Sequence, residues 1–229
     1  MTETIEKRRG FVFGDIHGCA HALDILFDRM APTSDDLVVI LGDAIDRGPD
    51  SRAVLDLLIE IQKTCELVYV LGNHEEMMVD VLHGRNPDEW MHHGGKATLA
   101  SYKWHLKHVP EAHLELLDST VQYWEGSAEI CVHANLEPGV SLDRQRSIWL
   151  RWQKLSGREL PHSSGKRVIC GHSGVSYSVP TVRDGWVCLD TLAHSGGYLT
   201  ALELGSGEIF QSRQTGDFRC GVFLHELEA

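Results

Sequence analysis

The sequence has no long apolar stretch. None of its apolar runs approaches the roughly 18 residues that a membrane-spanning helix needs. Residues 1–9 are polar and charged, without the apolar segment of a secretory signal. We therefore expect no membrane segment and no export, and we predict a cytoplasmic location.

An excess of positive charge is missing as well. The chain carries 21 Lys and Arg residues against 33 Asp and Glu residues, a formal net charge of −12. Proteins that hold nucleic acids by neutralising backbone phosphates need a basic surface, so we expect no stable nucleic-acid partner. A phosphate site is still compatible with this charge, because bound divalent cations reverse the local sign.

Paired cysteines of the kind that hold structural zinc are also absent. The six cysteines of the 229-residue chain are dispersed, and none belongs to a Cys-x-x-Cys pair. Most of them lie within apolar runs. We predict free, buried thiols in a reducing compartment rather than disulfides or a zinc ribbon.

The first half of the chain repeats one pattern three times. A short apolar run ends in Gly followed by Asp or Asn, at residues 14–15, 42–43 and 72–73. Between these runs, apolar residues recur with helical spacing over residues 23–30 and 54–61. Strands that alternate with amphipathic helices predict βαβ units and a largely parallel sheet. Ligands of such sheets bind beyond the carboxyl ends of the strands, where the three polar residues stand.

The rest of the chain divides into a helical segment and a β-rich half. Residues 84–125 are rich in His and Trp and show no strand pattern, so we predict a helical insert beside the site. Candidate strands follow at residues 129–132, 167–170, 186–190, 198–204 and 208–212. Because no low-complexity linker interrupts the chain, we predict one α/β domain over residues 1–229, a layered β-sandwich with helices outside.

Five polar clusters each follow a predicted strand. They are residues 14–18 (GDIHG), 42–48 (GDAIDRG), 72–75 (GNHE), 132–134 (VHA) and 171–173 (GHS). Their Asp, His and Asn side chains, without thiolate, suit manganese, iron, zinc, cobalt or nickel better than a structural zinc cage. Asp15 and His17 stand two residues apart where the chain leaves its strand, so both can face one metal ion. A single cluster of this kind often arises by chance, whereas five at strand ends predict a metal site.

The ordered motifs GDIHG, GDAIDRG and GNHE, followed by His133 and His172, resemble the calcineurin-like metallophosphoesterases over nearly the whole chain. More narrowly, the sequence is similar to the bacterial and phage serine/threonine phosphatases of the PPP family, to which diadenosine tetraphosphate hydrolases are related. Further likeness to lambda-type phage phosphatases lies at Trp90 and residues 94–95, 148–151, 189–191 and 197–200. The resemblance implies the calcineurin-like fold, an α/β sandwich of two mixed sheets flanked by helices.

The resemblance also implies roles for individual residues. It implies a dinuclear metal site whose ligands are Asp15, His17, Asp43, Asn73, His133 and His172, with Asp43 shared by both ions. Two ions roughly 3.5–4 Å apart would activate a bridging water that attacks the phosphorus. His74 would protonate the leaving oxygen, and Asp46 would keep that imidazole protonated. Arg47 and Arg151 would bind phosphoryl oxygens, with a surface salt bridge as the alternative for Arg151.

One position departs from the phosphatase pattern. Leu71 stands where protein phosphatases of this family carry Arg before Gly-Asn-His, and the dinucleotide hydrolases tend to lack that Arg too. Residues 46–47 (DR) and 75–78 (EEMM) favour the phosphatase branch. We therefore expect a phosphomonoesterase that acts on phosphoserine or phosphothreonine in proteins, with broad activity on small phosphoesters. Hydrolysis of diadenosine tetraphosphate or other dinucleoside polyphosphates is the alternative.

The alternative of a different class is a catalytically silent metal-binding or regulatory module. Such a module would be expected to lack a ligand or the acid, and neither is lost here. We expect two divalent ions, Mn²⁺ first, while nitrogen and oxygen ligands also admit Fe, Zn, Co or Ni. We interpret His92 and His93 as solvated residues of the insert, and we place His194 near the site through the loop after Asp190. The sequence leaves the oligomeric state open.

Overall fold

Eleven strands form the two sheets of the structure, a computed structural model that describes residues 8–227. In chain order they are β1 (Gly10–Phe13), β2 (Leu37–Ile40), β3 (Glu66–Tyr69), β4 (Tyr123–Glu125), β5 (Glu129–Val132), β6 (Arg167–Cys170), β7 (Thr181–Arg183), β8 (Trp186–Cys188), β9 (Leu199–Glu203), β10 (Glu208–Ser212) and β11 (Phe218–Phe223). The first sheet has the order β11-β10-β9-β1-β2-β3, and the second has the order β4-β5-β6-β8-β7.

Both sheets are mixed, as the resemblance implied. Strands β1, β2 and β3 are parallel to one another, while β9, β10 and β11 are antiparallel to their neighbours. In the second sheet β5, β6 and β8 are parallel, and the edge strands β4 and β7 are antiparallel. Each sheet therefore has parallel strands whose carboxyl ends lie at one edge.

Seven α-helices accompany the sheets in the described part of the chain. They are α1 (Ala20–Met30), α2 (Ser51–Thr64), α3 (Asn73–Leu82), α4 (Asp88–Trp90), α5 (Lys96–Ser101), α6 (Glu111–Asp118) and α7 (Ser147–Arg151). The first two confirm the helices predicted from apolar spacing. Helix α2 begins after Asp50, whose carboxylate accepts a hydrogen bond from the backbone N–H of Ala53 and caps the helix.

Alternating side chains along the strands separate three apolar layers. On β1, Phe11 and Phe13 pack against the helices of the first sheet, whereas Val12 points between the two sheets. On β5, Cys131 lies in the same layer between the sheets, and Val132 packs on the far side of the second sheet with residues of α7. Because a strand presents successive side chains to opposite faces, each sheet buries both faces and the predicted sandwich results.

The segment 84–125 is mainly helical, with one difference from the prediction. It contains α4, a π-helical turn (Met91–Gly95), α5, a 3₁₀ turn (Leu106–His108) and α6. It then ends in β4, which pairs antiparallel with β5. The sequence analysis missed β4 because three half-buried or exposed residues are too few to show strand alternation. The edge strands β7 and β11 were missed for the same reason, since most of their residues are exposed or half-buried.

The cysteines are free, and five of them are buried as predicted: Cys19, Cys65, Cys131, Cys170 and Cys188. Cys220 is the exception, because it lies exposed on the edge strand β11. Among the described residues, no helix combines the length and the apolar character that crossing a bilayer requires. The prediction about a missing secretory signal falls mostly on residues 1–7, outside the described part.

Candidate active site

The carboxyl ends of β1, β2, β3, β5 and β6 bring all six predicted ligands to one edge of the sandwich. Asp43 lies at the centre of the cluster. Its Oδ2 is 3.5 Å from Nε2 of His17, and its Oδ1 is 3.4 Å from Nε2 of His133. The same His133 nitrogen is 3.0 Å from Oδ1 of Asn73. His17 and His133, 116 positions apart in the sequence, thus meet at one carboxylate.

Two sets of these side chains are close enough to hold metal ions. In one, ligand atoms of His17, Asp43 and His74 lie within 4.8 Å of one another. In the other, the same holds for Asp43, His133 and His172. Asp15 flanks the first set, with Oδ2 3.9 Å from His17 Nε2. Asp43 belongs to both sets, as expected for a ligand that two ions share.

The imidazole tautomers direct lone pairs into the cluster. Nδ1 of His17 donates to the carbonyl of Ile45, and Nδ1 of His133 donates to the carbonyl of Leu41, each at 2.8 Å. Backbone bonds of this type fix the other ring nitrogen as an acceptor. Nε2 of His133 then faces Oδ1 of Asn73, so two lone pairs point at the same space. A cation bound by both atoms would satisfy these lone pairs, and the nitrogen and oxygen donors around Asp43 fit a divalent metal ion.

The ionisation of the cluster also fits the binding of cations. Burial raises the pKa of Asp15 well above its usual range, and the charges of Asp190 and Asp43 add to that rise. Burial and the charge of Glu75 raise the pKa of Asp43. Burial lowers the pKa of the His17 and His133 imidazoles, which keeps them neutral. Bound cations would lower the pKa of these carboxylates and so favour their ionised form, while the neutral imidazoles can serve as ligands.

His74 and Asp46 form a buried pair beside the ligand cluster. Nδ1 of His74 is 2.7 Å from Oδ2 of Asp46, and Nε2, 3.8 Å from Asp43 Oδ2, has no hydrogen-bond partner among the described residues. Burial raises the pKa of Asp46 to about 7, and burial lowers the pKa of His74 to about 2. These directions do not support the expectation that Asp46 keeps the imidazole protonated, because they favour a shared proton on Asp46 over one on His74. Wherever that proton resides along the bond, a hydrogen on Nε2 then points into the site.

Backbone conformation at the site is unusual. Of nine described non-glycine residues with positive φ, five belong to the motifs, namely His17, Asp43, Asp46, Arg47 and His172. Left-handed backbone at such residues costs about 1–3 kcal/mol each and persists where the surrounding structure enforces it. Two motif glycines give the ligands room. A Cβ on Gly72 would collide with the Asp43 carboxylate, and one on Gly171 would collide with that of Asp15.

Glu75 is a residue whose importance the sequence analysis missed. Its buried carboxylate accepts backbone N–H bonds from Asp43 (2.8 Å), Ala44 (2.9 Å) and Gly72 (3.1 Å), with a longer one from Ile45 (3.4 Å). Burial raises the pKa of Glu75, and these hydrogen bonds oppose the rise. The side chain ties the loop after β2 to the start of α3, and so holds Asp43 near Asn73.

The two predicted phosphate-binding arginines differ in their surroundings. Arg47 is exposed, and its Nη1 lies 2.9 Å from Nε2 of His17 at the mouth of the cluster. Arg151 is buried, and its terminal nitrogens bind Gln122 and Glu76, while its Nε has no partner among the described residues. A phosphoryl role for Arg151 stays a prediction. The structure shows Arg151 in an ion pair with Glu76, as in the alternative, but this ion pair is buried and not on the surface.

Three further histidines stand at different distances from the cluster. The ring of His194 lies 4.8 Å from that of His17, centre to centre, which agrees with its expected place near the site. The ring of His93 is 6.3 Å from that of His74 and is half-buried, so it is not a fully solvated residue. His92 is exposed, as expected.

Comparison with known proteins identifies the family to which this geometry belongs. The sequence model of the calcineurin-like phosphoesterases matches residues 11–198, which include every motif of the site. The chain is a calcineurin-like phosphoesterase. This confirms the family that the ordered motifs indicated.

Two curated relatives of the phosphoesterase represent two substrate classes. Serine/threonine-protein phosphatase 1 of Salmonella typhimurium is 40% identical over 92 residues, which are 38% of this chain and 39% of the relative. An asymmetrical bis(5'-nucleosyl)-tetraphosphatase of Anoxybacillus flavithermus is 33% identical over 101 residues, 40% of each chain. The matched portions thus span about two-fifths of the length of these relatives.

Solved structures extend the likeness over the whole phosphoesterase fold. A crystal structure provisionally titled as a diadenosine tetraphosphatase superposes with a TM-score of 0.67 over 91% of this chain and 94% of its own, at 21% identity. Identity at that level supports the shared fold, and the substrate has to be argued from the site itself.

Proposed function

We propose that the protein hydrolyses phosphoric esters with two divalent metal ions, Mn²⁺ first among them. The observation that carries the proposal is the meeting of Asp15, His17, Asp43, Asn73, His133 and His172 at one edge, around the shared Asp43 carboxylate. The lone pairs aimed at one space and the neutral buried imidazoles support metal in particular. Ions bound there would polarise the phosphoryl group and activate water for in-line attack.

The chain's own groups then handle the leaving oxygen and the phosphoryl charge. His74 donates the hydrogen on Nε2 to the departing oxygen, and Asp46 orients the ring through Nδ1. Because Nε2 of His74 has no hydrogen-bond partner in the described part of the chain, it is available either for this transfer or as a ligand, and we assign it to the transfer. Arg47 binds phosphoryl oxygens from the mouth of the site, where this exposed residue places its guanidinium 2.9 Å from Nε2 of His17.

The first candidate substrate is a phosphomonoester of serine or threonine in a protein. The buried His74–Asp46 pair supports it, because an alkoxide is a poor leaving group that needs protonation. The second candidate is a dinucleoside polyphosphate. The observation that favours it is Leu71, which removes a cation that a terminal phosphoryl group would use, together with the tetraphosphatase relative.

A substrate panel tests the proposal. The manganese-loaded protein is incubated with a phosphoserine peptide and with diadenosine tetraphosphate, and we expect faster release of phosphate from the peptide. Much faster turnover of the dinucleotide would make the second candidate correct. Absence of hydrolysis with either substrate, under several divalent metals, would instead support the non-catalytic metal-binding module.

Two variants separate metal binding from proton transfer. We expect Asp43→Asn to lose metal and activity together, because both ligand sets include Asp43. We expect His74→Asn to retain metal and to lose turnover by about 10²-fold or more, the usual contribution of a general acid. Metal analysis beside kinetics checks both. Loss of metal in His74→Asn would reassign His74 as a ligand.

The organisation and location of the protein belong to the same proposal. We infer that residues 1–229 act as one metallophosphoesterase domain with an insert at about 84–125, since the site draws on both sheets. The free cysteines agree with a reducing, cytoplasmic location.

A further inference from the structure

The insert supplies two side chains that bind Asp46 directly. The indole Nε1 of Trp90 donates to both carboxylate oxygens of Asp46, at 2.8 and 3.1 Å. The hydroxyl of Thr98 donates to Oδ1 at 2.6 Å. Each of these side chains, like His74, is at most 1% exposed. Oδ2 of Asp46 therefore bonds to His74 and Trp90, whereas Oδ1 bonds only to the insert residues Trp90 and Thr98 among the described residues.

The Thr98 hydroxyl makes every hydrogen bond that it can form. The Thr98 hydroxyl also accepts from the backbone N–H of Asp46 at 3.0 Å and lies 2.7 Å from the hydroxyl of Ser51, at the start of α2. A hydroxyl has one hydrogen to donate and two lone pairs, so each capacity of Thr98 is used. Asp46 sits at φ 71°, and the bond to its backbone N–H helps to hold this strained conformation.

The helical segment kinks at Gly94, within the turn Met91–Gly95 that lies between Trp90 and Thr98. Gly94 within it has φ 112°, and its carbonyl accepts the N–H of Arg47 at 3.4 Å. The turn lets one face of the insert reach both Asp46 and Arg47, which are the two motif residues concerned with the leaving group and the phosphoryl charge.

We infer that Trp90 and Thr98 of the insert are positioning residues for proton donation to the leaving group, acting through Asp46 on His74. This inference rests on the proposed phosphoester hydrolysis. The side-chain hydrogen bonds of Trp90 and Thr98 go to Asp46 and Ser51 and not to the predicted ligands, so each acts by holding the carboxylate that orients the imidazole. Two ordinary packing residues in the same positions would leave Asp46 with unpaired lone pairs in a buried site.

The inference predicts a dependence on the leaving group. Trp90→Phe keeps the ring but removes the N–H, and Thr98→Val keeps the shape but removes the hydroxyl. With the manganese-loaded enzyme, we expect each variant to lower kcat roughly tenfold to hundredfold on an alkyl ester such as a phosphoserine peptide, a part of what a general acid contributes. On 2,4-dinitrophenyl phosphate, whose leaving group needs no proton, we expect less than about threefold loss, with KM and metal content unchanged.

Matched controls lie on the same insert. Trp104→Phe changes an exposed indole, and Thr120→Val changes a hydroxyl that bonds only the Leu117 carbonyl among the described residues. Both are expected to behave as wild type on the two esters. Thr98→Ser, which retains the hydroxyl, is expected to recover most of the activity that Thr98→Val loses. In a His74→Asn background, Trp90→Phe should cause no further loss on the alkyl ester.

The outcomes separate the inference from the proposed function. Equal losses on the two esters, or an additive loss in the His74→Asn background, would show that the insert only supports the fold and would overturn the inference alone. A wild-type protein inactive on both esters would overturn the proposed function and the inference with it.

Discussion

Replacing Glu75 by Gln tests whether one side chain holds the centre of the site in place. The carboxylate accepts from Asp43 and Gly72 through Oε2 and from Ala44 and Ile45 through Oε1. In the amide, whichever oxygen becomes NH₂ leaves two of these backbone N–H groups facing a donor. A buried donor without an acceptor costs about 1–3 kcal/mol, so we expect a loss of about 2–6 kcal/mol in the free energy of unfolding.

The assay is urea denaturation of the metal-free protein, with the slope m compared between variants to check that only stability has changed. A domain of this size loses roughly 2–4 °C in Tm per kcal/mol, so thermal unfolding should show a fall of roughly 5–20 °C. The matched control is Glu115→Gln, an exposed position on α6, for which we expect less than about 0.5 kcal/mol. A Glu75→Gln protein as stable as this control would refute the assignment of those four hydrogen bonds.

Further predictions concern metal, pH and thiols. Mn²⁺ at 100 times its Kd should stabilise the wild-type protein by about 2.7 kcal/mol and should leave Asp43→Asn unshifted; an equal shift in both, by thermal unfolding, would place the metal elsewhere. Burial raises the pKa of Asp36, but hydrogen bonds from Arg9 and Thr33 outweigh it and lower that pKa to about 2. The stability lost in Asp36→Asn should therefore be full above pH about 4, the usual pKa of Asp, and should disappear as the pH falls towards 2. Unfolding midpoints that differ equally across this pH series would contradict the contact. Cys220 should react with a thiol reagent in the native protein, whereas burial, which raises the pKa of Cys19 to about 12, should protect the others until urea is added; Cys220→Ser should abolish the native reaction.

Local sequence patterns were sufficient to predict the strands that carry the site and the polar residues at the ends of those strands. Buried strands such as β1 and β2 are short apolar runs, and Gly followed by Asp marks the point where the chain turns out of the sheet. Since neighbouring parallel strands place their carboxyl ends at one edge of a sheet, His17 after β1 and Asp43 after β2 were expected to lie close together, and their side-chain atoms are 3.5 Å apart. His133 follows β5 of the other sheet, so its contact with Asp43 depends on how the two sheets pack. The predicted ligand set came from the ordered motifs and from their resemblance to the calcineurin-like phosphoesterases.

The contacts that orient those residues were decided only in three dimensions. Trp90 and Thr98 reach Asp46 across 44 and 52 residues, and Arg151 binds Glu76 across 75, so no local period records these pairs. The sequence pattern did not predict the edge strands. A strand such as β11 pairs with one neighbour and buries little apolar surface, so its residues do not alternate between apolar and polar. Periodicity encodes which face of an element is buried. Which polar groups form hydrogen bonds with one another depends on how the elements pack. The sequence alone therefore predicted the residues of the site, and only the tertiary structure determined the contacts that hold them in place.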